Sequence, residues 1–197
     1  RLQLPNLDIL EAQNDPLWHT GVPAIGFTQS EVGDGEHFLR TIGLSEEQKI
    51  ICLTTRTENY YLKLIDSGNK LKPQTVRNPD EGIYFEVARE LSLRGYFVIR
   101  MGKDLLTSVP TQYEKHVFDY AGTSRSEFLD AYILSRAEFL VNGGTGMHSF
   151  RAILNLPSVQ SDLYRVLKNK FFGDVGLFQK VRFVSDGRLA TVSEMVK

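Results

Sequence analysis

One cysteine and one tryptophan are all that the 197 residues offer of either type. A lone Cys52, set in an apolar run, excludes an intrachain disulfide and fits a reducing compartment. Neither sign of charge is in surplus: 23 Lys and Arg face 24 Asp and Glu, a net charge of -1. With the basic residues scattered, a broad nucleic-acid groove and a polybasic membrane patch are excluded, while local phosphate sites remain open. No apolar stretch approaches the roughly 20 residues of a membrane span, and no signal peptide is visible. Several chemical signatures are missing too. No Lys follows the glycines at Walker spacing, and there is no G-x-G-x-x-G, no G-x-S-x-G elbow and no zinc spacing of His, Cys or Asp.

What remains is an ordinary globular composition, 42% hydrophobic and 24% charged, long enough for one substantial α/β domain. Residues 1–27 are loop-rich, with Pro5, Pro16 and Pro23 and little period. They are expected to be the remnant of a preceding domain, with residues 28–197 forming the main one. Helices are expected from Thr28 to Gly43, interrupted by Gly33 and Gly35, and from Asp80 to Arg94. In the second, Ile83, Val87 and Leu91 share one face and Gly95 is the stop. Further helices follow the box Ser124-Arg125-Ser126-Glu127, as far as Arg136, and run from Gly146 to Asn155. Strands are expected at Lys49–Thr55, Tyr96–Gly102, His116–Tyr120, "EFLVN", "SVQS" and Val181–Ser185, and a last cap at Thr191 to Glu194. Residues 56–80 carry no clear period, and loops of that length are usually functional, disordered or the sign of a missed element. Strands alternating with helices make βαβ units, hence a mostly parallel sheet covered by helices on both faces.

Such sheets bind ligands beyond the carboxyl ends of their strands. Arg56 follows the first strand, Arg100 and Gly102 end the second, and Asp119 follows the third. Asn142-Gly143-Gly144-Thr145-Gly146 leads from a strand into a helix, and Ser161-Asp162 ends the next strand. Arginine forks, bare loop amides and a helix start are what a phosphate asks for. The plainer readings are a tight turn for the glycines, core filling for Cys52, a cap for Asp119 and a packing role for His148.

Three ordered blocks carry a resemblance: Val98 to Gly102, Asp119 to Ala121 with Arg125 to Asp130, and Phe139 to Val159. Over Phe27 to Val159 the chain resembles a bacterial family of surface-polysaccharide glycosyltransferases. Its members look like the donor-binding half of GT-B enzymes and are distantly similar to fucosyltransferases. The family's His-Val-Arg-Asp falls on Thr54-Thr55-Arg56-Thr57, where the Arg alone matches. Its Tyr-Arg-Asn falls on Val76-Arg77-Asn78, and its Gly-Thr-Ser-Ser-Gly on Asn142 to Gly146, with Thr145 the one hydroxyl kept.

The resemblance implies a Rossmann-like domain of the GT-B C-terminal type that moves a sugar from a nucleoside diphosphate sugar to a glycan or lipid-linked acceptor. Arg56 would be the catalytic cation. Arg77, Asn78, Arg100, Gly102, Asp119, Asn142, Gly143, Gly144, Thr145 and Gly146 would bind the donor phosphates with it. No metal and no cofactor are expected, nor a nucleic-acid partner or a transmembrane segment. The expected place is cytoplasmic, peripheral at the inner membrane face, with an N-terminal domain supplying the base. A catalytically reduced nucleotide- or glycan-binding module is the alternative, favoured by Thr54 and Thr57. A methyltransferase and a ligand-free scaffold are the other rivals.

Overall fold

A computed structural model describes residues 23–57, 59, 78–103, 105, 107–123, 125–163, 174–178, 182–183, 185–191 and 194. Residues 1–22, the bulk of the loop-rich segment, and Arg77 lie outside these. Five strands form one parallel sheet: β1 Ile50–Thr55, β2 Phe97–Met101, β3 Ala137–Gly143, β4 Ser158–Leu163 and β5 Val175–Phe178, in the order β2-β1-β3-β4-β5. The helices are α1 Gln29–Thr41, α2 Glu81–Leu93, α3 Glu127–Arg136 and α4 Met147–Ile153.

The expected strand at His116–Tyr120 shrinks to one residue. Phe118 makes a parallel bridge to Ile99 on the free edge of β2, and short 3-10 turns at Thr111–Tyr113 and Tyr120–Gly122 flank it. Counted as a strand in chain order, it gives the sequence 3-2-1-4-5-6, the doubly wound arrangement of dinucleotide folds. The order reverses between β1 and β3, so the crevice above their carboxyl ends is the switch point.

Alternation along the strands sorts the core into two layers. Ile50, Cys52, Ile99, Met101 and Leu140 face α1 and α3 through Leu39, Tyr132 and Ile133. Ile51, Leu53, Val98 and Val141 face α2 through Tyr84, Phe85 and Ala88. Buried on both faces, β1 carries no polar alternation, which is what a central parallel strand needs. Cys52 is core filling, and burial pushes its thiol pKa up. Among the described residues no helix is long and apolar enough to cross a membrane.

Helix starts follow their caps. Thr28 opens α1 with a reciprocal box: its hydroxyl accepts from the Glu31 amide at 3.3 Å, and its own amide donates to the Glu31 carboxylate at 2.7 Å. Asp80 caps α2 through the Gly82 amide. At α3 the cap lies two residues later than expected and is a single one: Ser126 takes the Leu129 amide at 3.1 Å. The face expected for α2 is also corrected. Tyr84, Phe85 and Ala88 go inward, while Ile83 and Val87 stand 62% and 38% exposed. Two aromatic rings bury more apolar area than two branched aliphatics, and Phe85 stacks on Tyr113 at 5.4 Å. Val175–Phe178 is a strand that the sequence reading lacked. Of the expected strand at Val181–Ser185, Val181 and Val184 lie outside the described residues, and Arg182 makes an antiparallel bridge to Leu189.

Gly35 sits in mid-helix because of packing. A Cβ there would lie 2.2 Å from two ring carbons of the buried Tyr132. Gly35→Ala is therefore expected to cost about 1–3 kcal/mol, as overpacked cores do. Thermal denaturation should show a fall of several degrees; an unchanged midpoint would contradict the close approach.

Candidate active site at the sheet switch point

The crevice holds a cavity of about 480 Å³. Its walls come from four segments. They are the end of β1 (Thr54 to Thr57), the loop after β2 (Gly102, Lys103 and Leu105), Arg125 ahead of α3, and the glycine loop from Gly144 to Met147. Arg56, Lys103 and Arg125 bring three positive charges to it, and no residue of this lining carries a carboxylate or an imidazole. Arg56 is nearly buried at 7% exposure, so its charge acts where water screens poorly.

The glycine loop is built by Asn142. Its side-chain oxygen accepts from the Thr145 amide at 3.1 Å and from the Thr145 hydroxyl at 2.9 Å, while its amide group reaches Gln160 at 3.5 Å. The Met147 amide donates to Thr145 Oγ1, His148 to the Thr145 carbonyl and Ser149 to that of Gly146. Four amides are thus taken within the loop, and the backbone cradle is narrower than the composition suggests.

The three glycines have three different reasons. Gly144 has φ +75°, a left-handed conformation that favours glycine. Gly143 makes room for Tyr84, whose hydroxyl would lie 2.6 Å from an added Cβ on its way to Ser161 of β4. Gly146 is different. Its backbone is helical, with φ -62° and ψ -20°, and an added Cβ would meet nothing within 4 Å. Neither conformation nor packing within the described residues requires glycine there, and it faces the cavity.

Arg100 and Asp119 do not line this cavity; they pair with each other. The Arg100 guanidinium, 1% exposed, lies 3.1 Å from Glu81 and 3.3 Å from Asp119, donates to the Thr107 carbonyl at 2.8 Å and covers the Phe85 ring. Glu81 in turn accepts from the hydroxyls of Thr55 at 2.8 Å and Thr107 at 2.6 Å. Burial would raise the Glu81 pKa, but these hydroxyls and Arg100 outweigh it and hold the carboxyl below its ordinary range. One guanidinium between two carboxylates is a strut under the rim, with its charge already balanced. Its bonds to Thr107, and the Asp119 bond to the Val109 amide, fasten the far end of the loop that carries Lys103 and Leu105.

Beneath the glycine loop lies a second buried network. Arg151 of α4 pairs with Asp174 just ahead of β5, and Asp174 also accepts from the Ser158 amide and hydroxyl at 3.1 and 3.0 Å. Gln160 bridges Ser158 to His148. Burial first, then the Arg151 charge, pulls the His148 pKa down to about 4 against the opposing pull of Asp174. Below its ordinary value of 6.5 the unfolded chain binds a proton that the folded chain refuses. Stability from this group is therefore complete above pH 6.5 and falls as the pH drops towards 4. A loss on the order of 1–2 kcal/mol between pH 7 and pH 5 is expected in urea unfolding. His148→Gln should lack that component; an identical slope in both proteins would contradict it.

Of the residues expected at the site, Arg56, Gly102, Gly144, Thr145 and Gly146 line the cavity. Asn142 and Gly143 build the loop from below, Asn78 stands two residues before the α2 cap, and Arg100 and Asp119 are struts. Lys103 and Arg125 are additions that the sequence reading lacked. Both follow expected strand or cap signals and could have been found by extending the rim inventory a few residues further.

The fold defined here is a Rossmann-like α/β sheet with a cationic cavity at its switch point. No protein-family model matches the chain, and no curated protein sequence does. Among solved structures, Escherichia coli ADP-heptose LPS heptosyltransferase II is similar at a TM-score of 0.53 and 15% identity, over 87% of this chain and 48% of its own. The glycosyl transferase family 9 structure from Veillonella parvula is similar at a TM-score of 0.54 and 13% identity, over 79% of this chain and 42% of its own. The chain spans less than half the length of these structures, and at such identities the likeness shows the fold. Neither neighbour is named as a fucosyltransferase.

Proposed function

We propose that the chain is the donor-binding part of a glycosyltransferase. In this reading it holds a nucleoside diphosphate sugar at the switch-point cavity while the sugar passes to a hydroxyl of a glycan or lipid-linked acceptor. The observation that carries the reading is Gly146: a helical glycine that nothing among the described residues requires, opening on a cavity with three cations. A pyrophosphate diester needs both close backbone approach and positive charge. The fold of the two glycosyltransferase neighbours supports the same reading.

The chemistry follows from charge. Breaking the bond between the anomeric carbon and the phosphate oxygen leaves a nucleoside diphosphate with one more negative charge than it had as a diester. Arg56, assisted by Lys103 and, as the family pattern implies, by Arg77, stabilises that charge as it grows, in a poorly hydrated crevice. Here the cations take the role that a metal could fill, and no cofactor is needed. The acceptor proton requires a base. The described cavity lining has none, and the base is left to residues outside that lining.

Thr54 and Thr57 at the motif positions favour a second reading, a module that binds a nucleotide or glycan without turnover. Incubation with a panel of nucleoside diphosphate sugars, monitoring released nucleoside diphosphate, separates the two. Release that disappears in Arg56→Ala supports transfer chemistry. Binding without release supports the module, and no binding contradicts both.

A further inference from the structure

We propose that Arg125 is a second guanidinium of the phosphate site and that Asp130 aims it. The inference rests on the phosphate-site reading above and adds to it a residue to which neither the strand ends nor the family motifs give a role.

Arg100 and Arg125 look alike in sequence but differ in what holds them. Two carboxylates, Glu81 and Asp119, share the charge of Arg100, which is buried away from the cavity. Arg125 has one carboxylate, Asp130, and lines the cavity. Among the described residues its guanidinium donates to Asp130 alone, through Nη2, and its Nε–H is buried without an acceptor. The Nη1 group makes no hydrogen bond among the described residues and is not among the buried atoms, so it is the part of the fork left for an anion in the adjoining cavity.

The segment that carries Arg125 is fastened at both ends. The Tyr120 hydroxyl accepts from the Ser126 amide at 3.0 Å and donates to the Ser126 carbonyl at 3.1 Å. The Arg125 amide donates to the Thr123 carbonyl at 2.9 Å, and the Thr123 amide and hydroxyl return to the Tyr120 carbonyl. Asp130, 8% exposed in the first turns of α3, then fixes the direction of the side chain. A backbone held in place and one carboxylate behind the fork leave Arg125 preorganised, with N–H groups to spare. Arg56 from just after β1 and Arg125 from just ahead of α3 approach one cavity from separate segments, an arrangement suited to the two phosphates of a diphosphate.

Inorganic pyrophosphate isolates this part of the ligand, and calorimetric titration into the intact chain is the test. Arg125→Met should weaken pyrophosphate binding by about 10- to 100-fold, the loss of charge-assisted hydrogen bonds. Arg125→Lys should recover part of it, since the charge returns without the fork. Asp130→Asn separates positioning from simple electrostatics, because removing a negative charge beside an anion site should by itself tighten binding. If Asp130 aims Arg125, Asp130→Asn weakens binding instead, by about 3- to 10-fold, with the unliganded circular dichroism spectrum unchanged. Tighter binding in Asp130→Asn would overturn the positioning role. Wild-type binding that Arg125→Met leaves untouched would overturn the inference while sparing the phosphate site. A wild-type chain that binds neither pyrophosphate nor any nucleoside diphosphate would overturn both.

Discussion

Asp174→Ala is expected to destabilise the protein by about 3–5 kcal/mol, the cost of leaving one member of a buried ion pair alone. Arg151 is 1% exposed and Asp174 fully buried, so neither charge can turn to water. Asp174 also takes the amide and hydroxyl of Ser158 at the start of β4, and its removal strands those donors. For a domain of this size the midpoint of thermal unfolding should fall by roughly 6–20 °C. Arg151→Met combined with Asp174→Leu should recover part of the loss, because a fully apolar replacement leaves no uncompensated charge. A single variant as stable as the wild type would mean that the pair does not tie α4 to β5. The pair matters for the site because α4 begins at the glycine loop, so loosening Arg151 frees the wall that carries Thr145 and Gly146.

Arg56→Ala is expected to weaken nucleoside diphosphate binding on the order of 100-fold or more. A bidentate contact to phosphate contributes two charge-assisted hydrogen bonds, and each tenfold in affinity corresponds to about 1.4 kcal/mol. The effect is large because Arg56 is nearly buried at the end of the central strand, where the sheet order reverses. Arg56→Lys should retain a fraction of the affinity, having the charge without the fork. Titration of both variants, with the unliganded melting curve as a control on folding, measures the effect. Equal affinity in wild type and Arg56→Ala would remove Arg56 from the site.

The sheet was legible because its evidence is local. Ile50 to Thr55 is continuously apolar or β-branched, Phe97 to Met101 is apolar but for Arg100, and Gly95, with φ +92°, stops α2 where a stop was expected. The side chains that decide the site were less legible, since their partners lie far away in sequence. Arg100 at a strand end reads as a free fork; its carboxylates stand 19 residues to either side, at Glu81 and Asp119. Position on the strand is set by sequence, but the pairing depends on register, which places Arg100 beside Leu53 and under the N-terminus of α2. The glycines divide in the same way. Gly144 declares itself by its conformation, whereas Gly143 is explained only once Tyr84 is seen to cross it. The face of α2 was misjudged because period alone cannot choose between Ile83 with Val87 and Tyr84 with Phe85.

Binding of a nucleoside diphosphate against Gly146 in the switch-point cavity is tested most directly by titrating GDP, UDP, ADP, CDP and dTDP into wild type and Gly146→Val, following both heat and melting temperature. At 100 times its dissociation constant a ligand should stabilise the wild type by about 2.7 kcal/mol, a rise of roughly 5–10 °C. Because no described residue fills the space above Gly146 and its backbone is helical, Gly146→Val should fold with a ligand-free midpoint close to that of the wild type, yet lose the ligand-induced rise. A nucleotide that stabilises both proteins equally, or none that stabilises the wild type, would contradict the account.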